Sequence, residues 1–155
     1  MATLNHIPVV TAQMMIRKSV EQVFEAFTDP SMTTKFWFTK SSGRLEAGSR
    51  VRWDWEMYGV SDDIFVKEIE NNKRIRIQWS DSTETEWIFT SRAENETLVA
   101  ITSSGYTGNG NEIVNRAVDD MGGYMIVLCG LKALLEHNII LNLVADKAPD
   151  ANVNY

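Results

Sequence analysis

The chain has 155 residues, 44% hydrophobic and 23% charged, with a net charge of −6. That length suffices for one domain with a buried core. The acidic balance speaks against nucleic acid and an anionic membrane surface, both of which need a basic stripe. No segment approaches the roughly 20 apolar residues of a membrane span, and Met1 to Pro8 shows no secretory signal. The lone Cys129 cannot form an internal disulfide, which suits a reducing compartment. Together these features place the expected location in the cytoplasm. The apolar neighbours of Cys129 predict a plain core residue.

Val9 to Arg17 reads as a first strand. Ser19 and Gln22 form a capping box for a short helix carrying Val20, Val23, Phe24 and Phe27. Asp29-Pro30 stops it, because the residue before proline avoids the helical region. A second short helix is expected over Ser31 to Phe38, ending in Phe36-Trp37-Phe38. Val51, Trp53, Trp55 and Met57 then alternate with Arg50, Arg52, Asp54 and Glu56, the period-two pattern of a strand with one buried face. Further strands follow over Asp62 to Glu70, Arg74 to Trp79, Glu84 to Ser91 and Thr97 to Ser104. Short turns at Asn71-Asn72, Asp81-Ser82 and Glu94-Asn95-Glu96 join them, so the sheet is an antiparallel meander.

A long helix is expected from Asn111 to Leu143. Val114, Ala117, Val118, Met121 and Met125 share one face of its first half, at about 100° per residue. Beyond Gly122-Gly123 the apolar centre moves to Tyr124, Val127, Leu128, Leu131, Leu134 and Leu135. That wider arc predicts an anchor to the fold or to a second copy, making a homodimer a candidate assembly. Each glycine costs about 1 kcal/mol relative to alanine in a helix, so the pair predicts a bend or a close approach by a ring or ligand. Ala148 to Tyr155 reads as a loose tail.

The order of elements resembles the helix-grip fold of the START-like superfamily, often labelled polyketide-cyclase-like. The details are similar to its branch related to the activator of heat-shock-protein-ninety ATPase. Val23-Phe24-Glu25-Ala26-Phe27-Thr28-Asp29-Pro30, Phe36-Trp37-Phe38, Ile64 to Ile69, Arg74 to Trp79, Gly105-Tyr106 and Leu131 to Glu136 carry the resemblance, which covers Val9 to about Asn142. It implies one α+β domain over residues 1–155, with its core at about 9–142. A curved antiparallel sheet would wrap a long C-terminal helix, with two short helices after the first strand. Many relatives have a Gly-Trp pair in the last helix where this chain has Gly122-Gly123-Tyr124, which bears on cavity size.

The fold implies a cavity between sheet and helix. The candidate lining is Trp37, Trp53, Trp55, Trp79, Trp87, Val118, Met121, Gly122 and Met125, with Trp37 at the mouth. Bulky rings and adaptable methionines suit an apolar ligand wall. No catalytic constellation emerges: His6 and His137 lack a nucleophile at motif spacing, and Asp119-Asp120 diverge on a helix and read as a solvated face. No metal and no cofactor is expected. Gly105 to Gly110, with three glycines in six residues, suits a mobile lid over the cavity. The expected function is binding of a small hydrophobic or aromatic molecule by a carrier or sensor. The alternatives are a cyclase- or hydrolase-type enzyme using Ser103, Thr85 or Tyr106, and a protein-interaction domain with a chaperone partner.

Overall fold

The computed structural model describes residues 3–151. In chain order these form β1 (Val10–Ile16), α1 (Val20–Thr28), α2 (Pro30–Thr33), β2 (Lys40–Ser41), β3 (Arg50–Trp55), β4 (Val60–Glu70), β5 (Arg74–Gln78), β6 (Glu84–Ala93), β7 (Glu96–Ser104), α3 (Gly110–His137) and α4 (Leu143–Lys147). The strands make one antiparallel sheet in the order β1-β7-β6-β5-β4-β3-β2. From β3 to β7 each strand pairs with its predecessor. The two short helices carry the chain from one edge to the other. Register shifts between Val66 and Glu68 and between Ser91 and Ala93 are bulges, which bend a strand. The expected helix-grip architecture is what the chain adopts.

Local chemistry accounts for most boundaries. Ser19 accepts from the Gln22 N–H and Gln22 reciprocates, so the capping box is present. Asp29 ends α1 and caps α2 through the Ser31 N–H. Asn72 takes positive φ between β4 and β5, as Ser82 does before β6. Three spans differ from expectation. The second helix is only Pro30–Thr33, so Phe36, Trp37 and Phe38 lie in irregular chain. The strand expected to reach Met57 stops at Trp55, because a 3-10 turn over Glu56–Tyr58 closes on Gly59 at φ 61°, a left-handed position that suits glycine. The long helix ends at His137. Asn138 at φ 53° donates its N–H to Leu134 O, the 5→1 bond of the αL motif that stops a helix, and Ile139 donates to Ala133 O.

The buried face of the sheet is aromatic and β-branched. Val51, Trp53, Ile64, Val66, Ile75, Ile77, Thr85, Trp87 and Phe89 are all buried. The opposite face of β4, β5 and β6 carries alternating charges: Arg74 meets Glu86 at 2.5 Å, Arg76 meets Glu68 at 3.3 Å, and Lys67 meets Glu84. Such exposed pairs contribute little individually. Phe24 and Phe27 of α1 pack on Phe89. The C-terminal half of α3 buries Tyr124, Val127, Leu128, Leu131 and Leu134 within the chain. The wide apolar arc is therefore absorbed by the fold itself. Lys132 Nζ ties this half to β1, donating to Met15 O at 2.8 Å and to Glu136 at 2.6 Å.

The inward line of α3 is Ile113, Ala117, Asp120, Tyr124, Val127 and Leu131. The stripe Val114, Val118, Met121, Met125 is displaced from it by one residue, or about 100°. Val118 is 69% exposed and Met121 43% exposed. The expectation that they face the cavity is thus overturned. Cys129, expected in the core, is exposed.

The close-packed glycine of α3 is Gly130. A Cβ there would lie 3.2 Å from Phe36 Cβ and 3.5 Å from Phe36 O. Phe36 is buried against Phe27 at 5.5 Å and has little room to retreat. Gly130→Ala is expected to destabilise the protein by about 1–3 kcal/mol, as overpacking does, despite alanine's better helix propensity. A urea melt checks the sign; a gain in stability would show that the contact relaxes freely.

Candidate functional site

A cavity of about 780 Å³ opens between α3, α4 and the ends of β3 to β6. That volume is in the range of small-molecule sites, about 300–1,000 Å³. Trp37, Trp55, Trp79, Tyr58 and Tyr124 supply its aromatic wall. Period two places Trp53 and Trp55 on one side of β3, their rings 6.3 Å apart, but only Trp55 reaches the cavity. Trp53 lies behind it, stacked on Phe38 at 4.5 Å.

Trp37 is the centre of this cluster. Its ring lies 5.0 Å from Trp53, 5.9 Å from Trp87, 6.2 Å from Trp55 and 6.4 Å from Trp79. It also packs on Phe38 and Tyr124. All five tryptophans of the chain thus meet. Trp37, Trp55 and Trp79 line the cavity, while Trp53 and Trp87, each 1% exposed, sit beneath. Of the helix residues proposed from sequence, Val118 and Met121 face outward and Met125 packs on the core. At the glycine pair the lining residue is Gly123 rather than Gly122. A Cβ on Gly123 would meet nothing within 4 Å, and one on Gly122 would meet the tip of Lys147 at 3.3 Å. Neither glycine is there for tight packing.

A closed set of hydroxyls lies behind the wall, and of its members only Tyr124 lines the cavity. Trp79 Nε1 donates to Thr85 Oγ1 at 2.8 Å, and Thr85, Ser103 and Tyr124 join one another at 2.7, 2.9 and 3.1 Å. If Thr85 donates to Ser103, Ser103 to Tyr124 and Tyr124 back to Thr85, every donor is used. Burial, the largest influence, pushes the Tyr124 hydroxyl up to about 12. Tyr124 is therefore a neutral phenol at neutral pH. In contrast, the Trp87 indole N–H is buried without a hydrogen-bond partner among the described residues.

The rim is charged. Asp120 lies on the inward line of α3 and accepts from the Tyr106 hydroxyl at 2.6 Å. Burial holds its carboxyl above the usual range, outweighing the Tyr106 hydrogen bond and the positive charge of Arg116. Burial and the neighbouring Asp120 likewise raise the Tyr106 hydroxyl. Arg116 pairs with Asp81 at 2.6 Å and lies over the Tyr106 ring at 5.5 Å. Asp120 was read from sequence as one of two solvated carboxylates. Only Asp119 fits that description, its side chain being 81% exposed. The missed signal was spacing: Asp120 stands seven residues after Ile113 and four before Tyr124, on the buried line.

The segment over the cavity mouth is α4, not the glycine-rich loop. Val144 and Lys147 line the cavity, with Ala148 and Ala151 beyond them, and the Tyr58 hydroxyl donates to Val144 O. Residues 105–110 lie elsewhere, with Tyr106 buried beside Val10 and Ile113. The expected loose tail is therefore part of the wall as far as residue 151; its last four residues lie outside the described residues. Among the described residues no helix is long and apolar enough to cross a membrane.

A sheet gripping one long helix above an aromatic cavity defines a helix-grip domain. The chain belongs to the family of Activator of Hsp90 ATPase homolog 1-like proteins, whose profile matches residues 17–136. It is similar to SSP2350 from Staphylococcus saprophyticus, at 28% identity and TM-score 0.76, over 86% of this chain and 96% of that one. It also resembles DynU16 of the dynemicin biosynthetic locus, at 23% identity and TM-score 0.74, over 85% of this chain and 48% of that one. The Aha1 dimer from Colwellia psychrerythraea shares 22% identity at TM-score 0.70, over 84% of this chain and 97% of that one. No curated protein matches the chain.

Proposed function

We propose that this domain binds a small hydrophobic or aromatic molecule in the cavity between the sheet and α3, as a carrier or sensor. The observation that carries this reading is the space itself. About 780 Å³ stays open against Trp37, Trp55 and Trp79 in a chain that packs Trp53 and Trp87 tightly directly beneath. An exposed aromatic wall of this kind gives a ligand contact area without an ordering cost in the wall.

Titration with a panel of small aromatic and aliphatic compounds, read by tryptophan emission, tests this. Saturable quenching by at least one aromatic compound, at one site per chain, is expected. If no compound changes the emission, the reading fails. The family match favours a second reading, a protein-interaction domain that stimulates a chaperone ATPase. Its test is ATP turnover by a chaperone of the heat-shock-protein-ninety class with and without this protein.

A further inference from the structure

Electrostatics narrows the ligand class beyond hydrophobic. The cavity is bordered by four carboxylates, Asp62, Asp81, Asp119 and Asp120, and by two cations, Arg116 and Lys147. Each cation already has a counter-ion: Arg116 with Asp81 at 2.6 Å, and Lys147 with Asp119 at 3.7 Å. Asp62 and Asp120 have no ion-pair partner among the described residues. Asp120 uses Oδ2 to accept from Tyr106, and no hydrogen bond from the described residues occupies Oδ1. Its carboxylate therefore borders an aromatic cavity with an acceptor oxygen to spare. A neutral ligand would leave that charge uncompensated in a partly desolvated place.

We propose that the cavity selects an aromatic ligand bearing a protonated amine, its ring against Trp37, Trp55 and Trp79 and its ammonium on Asp120. The assignment rests on the cavity reading given above. A charge-assisted hydrogen bond to Asp120 fixes one end of such a molecule, and the tryptophan wall attracts both its ring and its positive charge. An anionic analogue would face the surplus of two carboxylates. Burial displaces the Asp120 carboxyl upward even against the positive charge of Arg116, so that cation does not fully compensate it. Amine binding stabilises the ionised carboxylate, so it releases a proton and weakens as pH falls through the Asp120 titration. The groups that face Asp120 are Arg116, Asp119 and Tyr124 on α3, Asp81 before β6 and Tyr106 after β7.

Three probes of one shape test the proposal: 1-naphthylmethylamine, 1-naphthalenemethanol and 1-naphthoate, titrated calorimetrically at about pH 8, where free carboxylates are ionised. The amine is expected to bind at least about tenfold tighter than the alcohol, a difference of about 1.4 kcal/mol, with naphthoate weakest. Asp120→Asn keeps an acceptor for Tyr106. It should remove the amine's advantage over the alcohol. Equal affinity for amine and alcohol would overturn the charge assignment but leave the cavity reading intact. Binding of none of the three would overturn both. An amine preference that survives in folded Asp120→Asn would remove Asp120 from the assignment. The comparison of probes on the unaltered chain decides the charge preference even where the variant does not fold.

Discussion

Trp37→Ala is expected to remove about 3–5 kcal/mol of stability, the loss typical of truncating a large core aromatic. The size follows from position. Trp37 lies outside any helix or strand, yet it is only 9% exposed and packs against six other rings. It joins the irregular chain after α2 to β3, β6, α3 and Trp79 just beyond β5 at once. Truncation also opens the floor of the cavity toward Trp87, whose indole N–H lacks a partner. Denaturant unfolding followed by far-UV circular dichroism measures the loss. A change below about 1 kcal/mol would show that the ring fills space at a rim and does not organise the core.

Gly123→Phe is expected to have the opposite profile, leaving the fold in place and closing the cavity. A Cβ at this position meets nothing within 4 Å, and the helix gains propensity, since glycine is about 1 kcal/mol worse than alanine in a helix interior. A phenyl ring leaving α3 here enters the space bounded by Trp37, Trp55 and Trp79. Gly123→Ala, which adds one methyl group, should raise stability by up to about 1 kcal/mol and leave most of the cavity open. The contrast with Gly130, whose Cβ would press on Phe36, shows that glycines on one helix serve different ends.

The strands were legible in the sequence because each has one wet face and one dry face. Val51 and Trp53, Ile75 and Ile77, and Thr85, Trp87 and Phe89 alternate with charged or polar residues, Ile88 excepted, and are buried as expected. The capping box at Ser19 marks a helix start through a side chain that satisfies a free N–H group, whereas the one Asn109 forms with Glu112 is absent from the sequence reading. The facing of α3 was not legible. Its first half carries two apolar lines one residue apart, and the truly inward one contains Asp120. A carboxylate is tolerated there because that stretch borders a cavity instead of solid core. The stop at Asn138 was present as a residue type, but the apolar run Ile139-Ile140-Leu141 after it reads as more helix. The three are 44–51% exposed.

The tryptophan wall was legible as composition, and its depth was not. Alternation told which tryptophans share a face, but not that Trp53 and Trp87 stand behind Trp37, Trp55 and Trp79. The return of α4 across the mouth depends on contacts between Tyr58 and Val144, 86 residues apart, which no local pattern encodes. The exposed line of Val118 and Met121 has no counterpart in the sequence reading, which had turned it inward.

The most direct measurement of the cavity's role is a calorimetric titration of the unaltered chain and of folded Gly123→Phe. Both are titrated with the compound that quenches tryptophan emission most strongly. One site per chain on the unaltered protein, and at least about a tenfold loss of affinity in the variant, is the predicted result. Equal affinity in a variant whose unfolding midpoint is unchanged would place the bound compound outside the cavity and contradict the account.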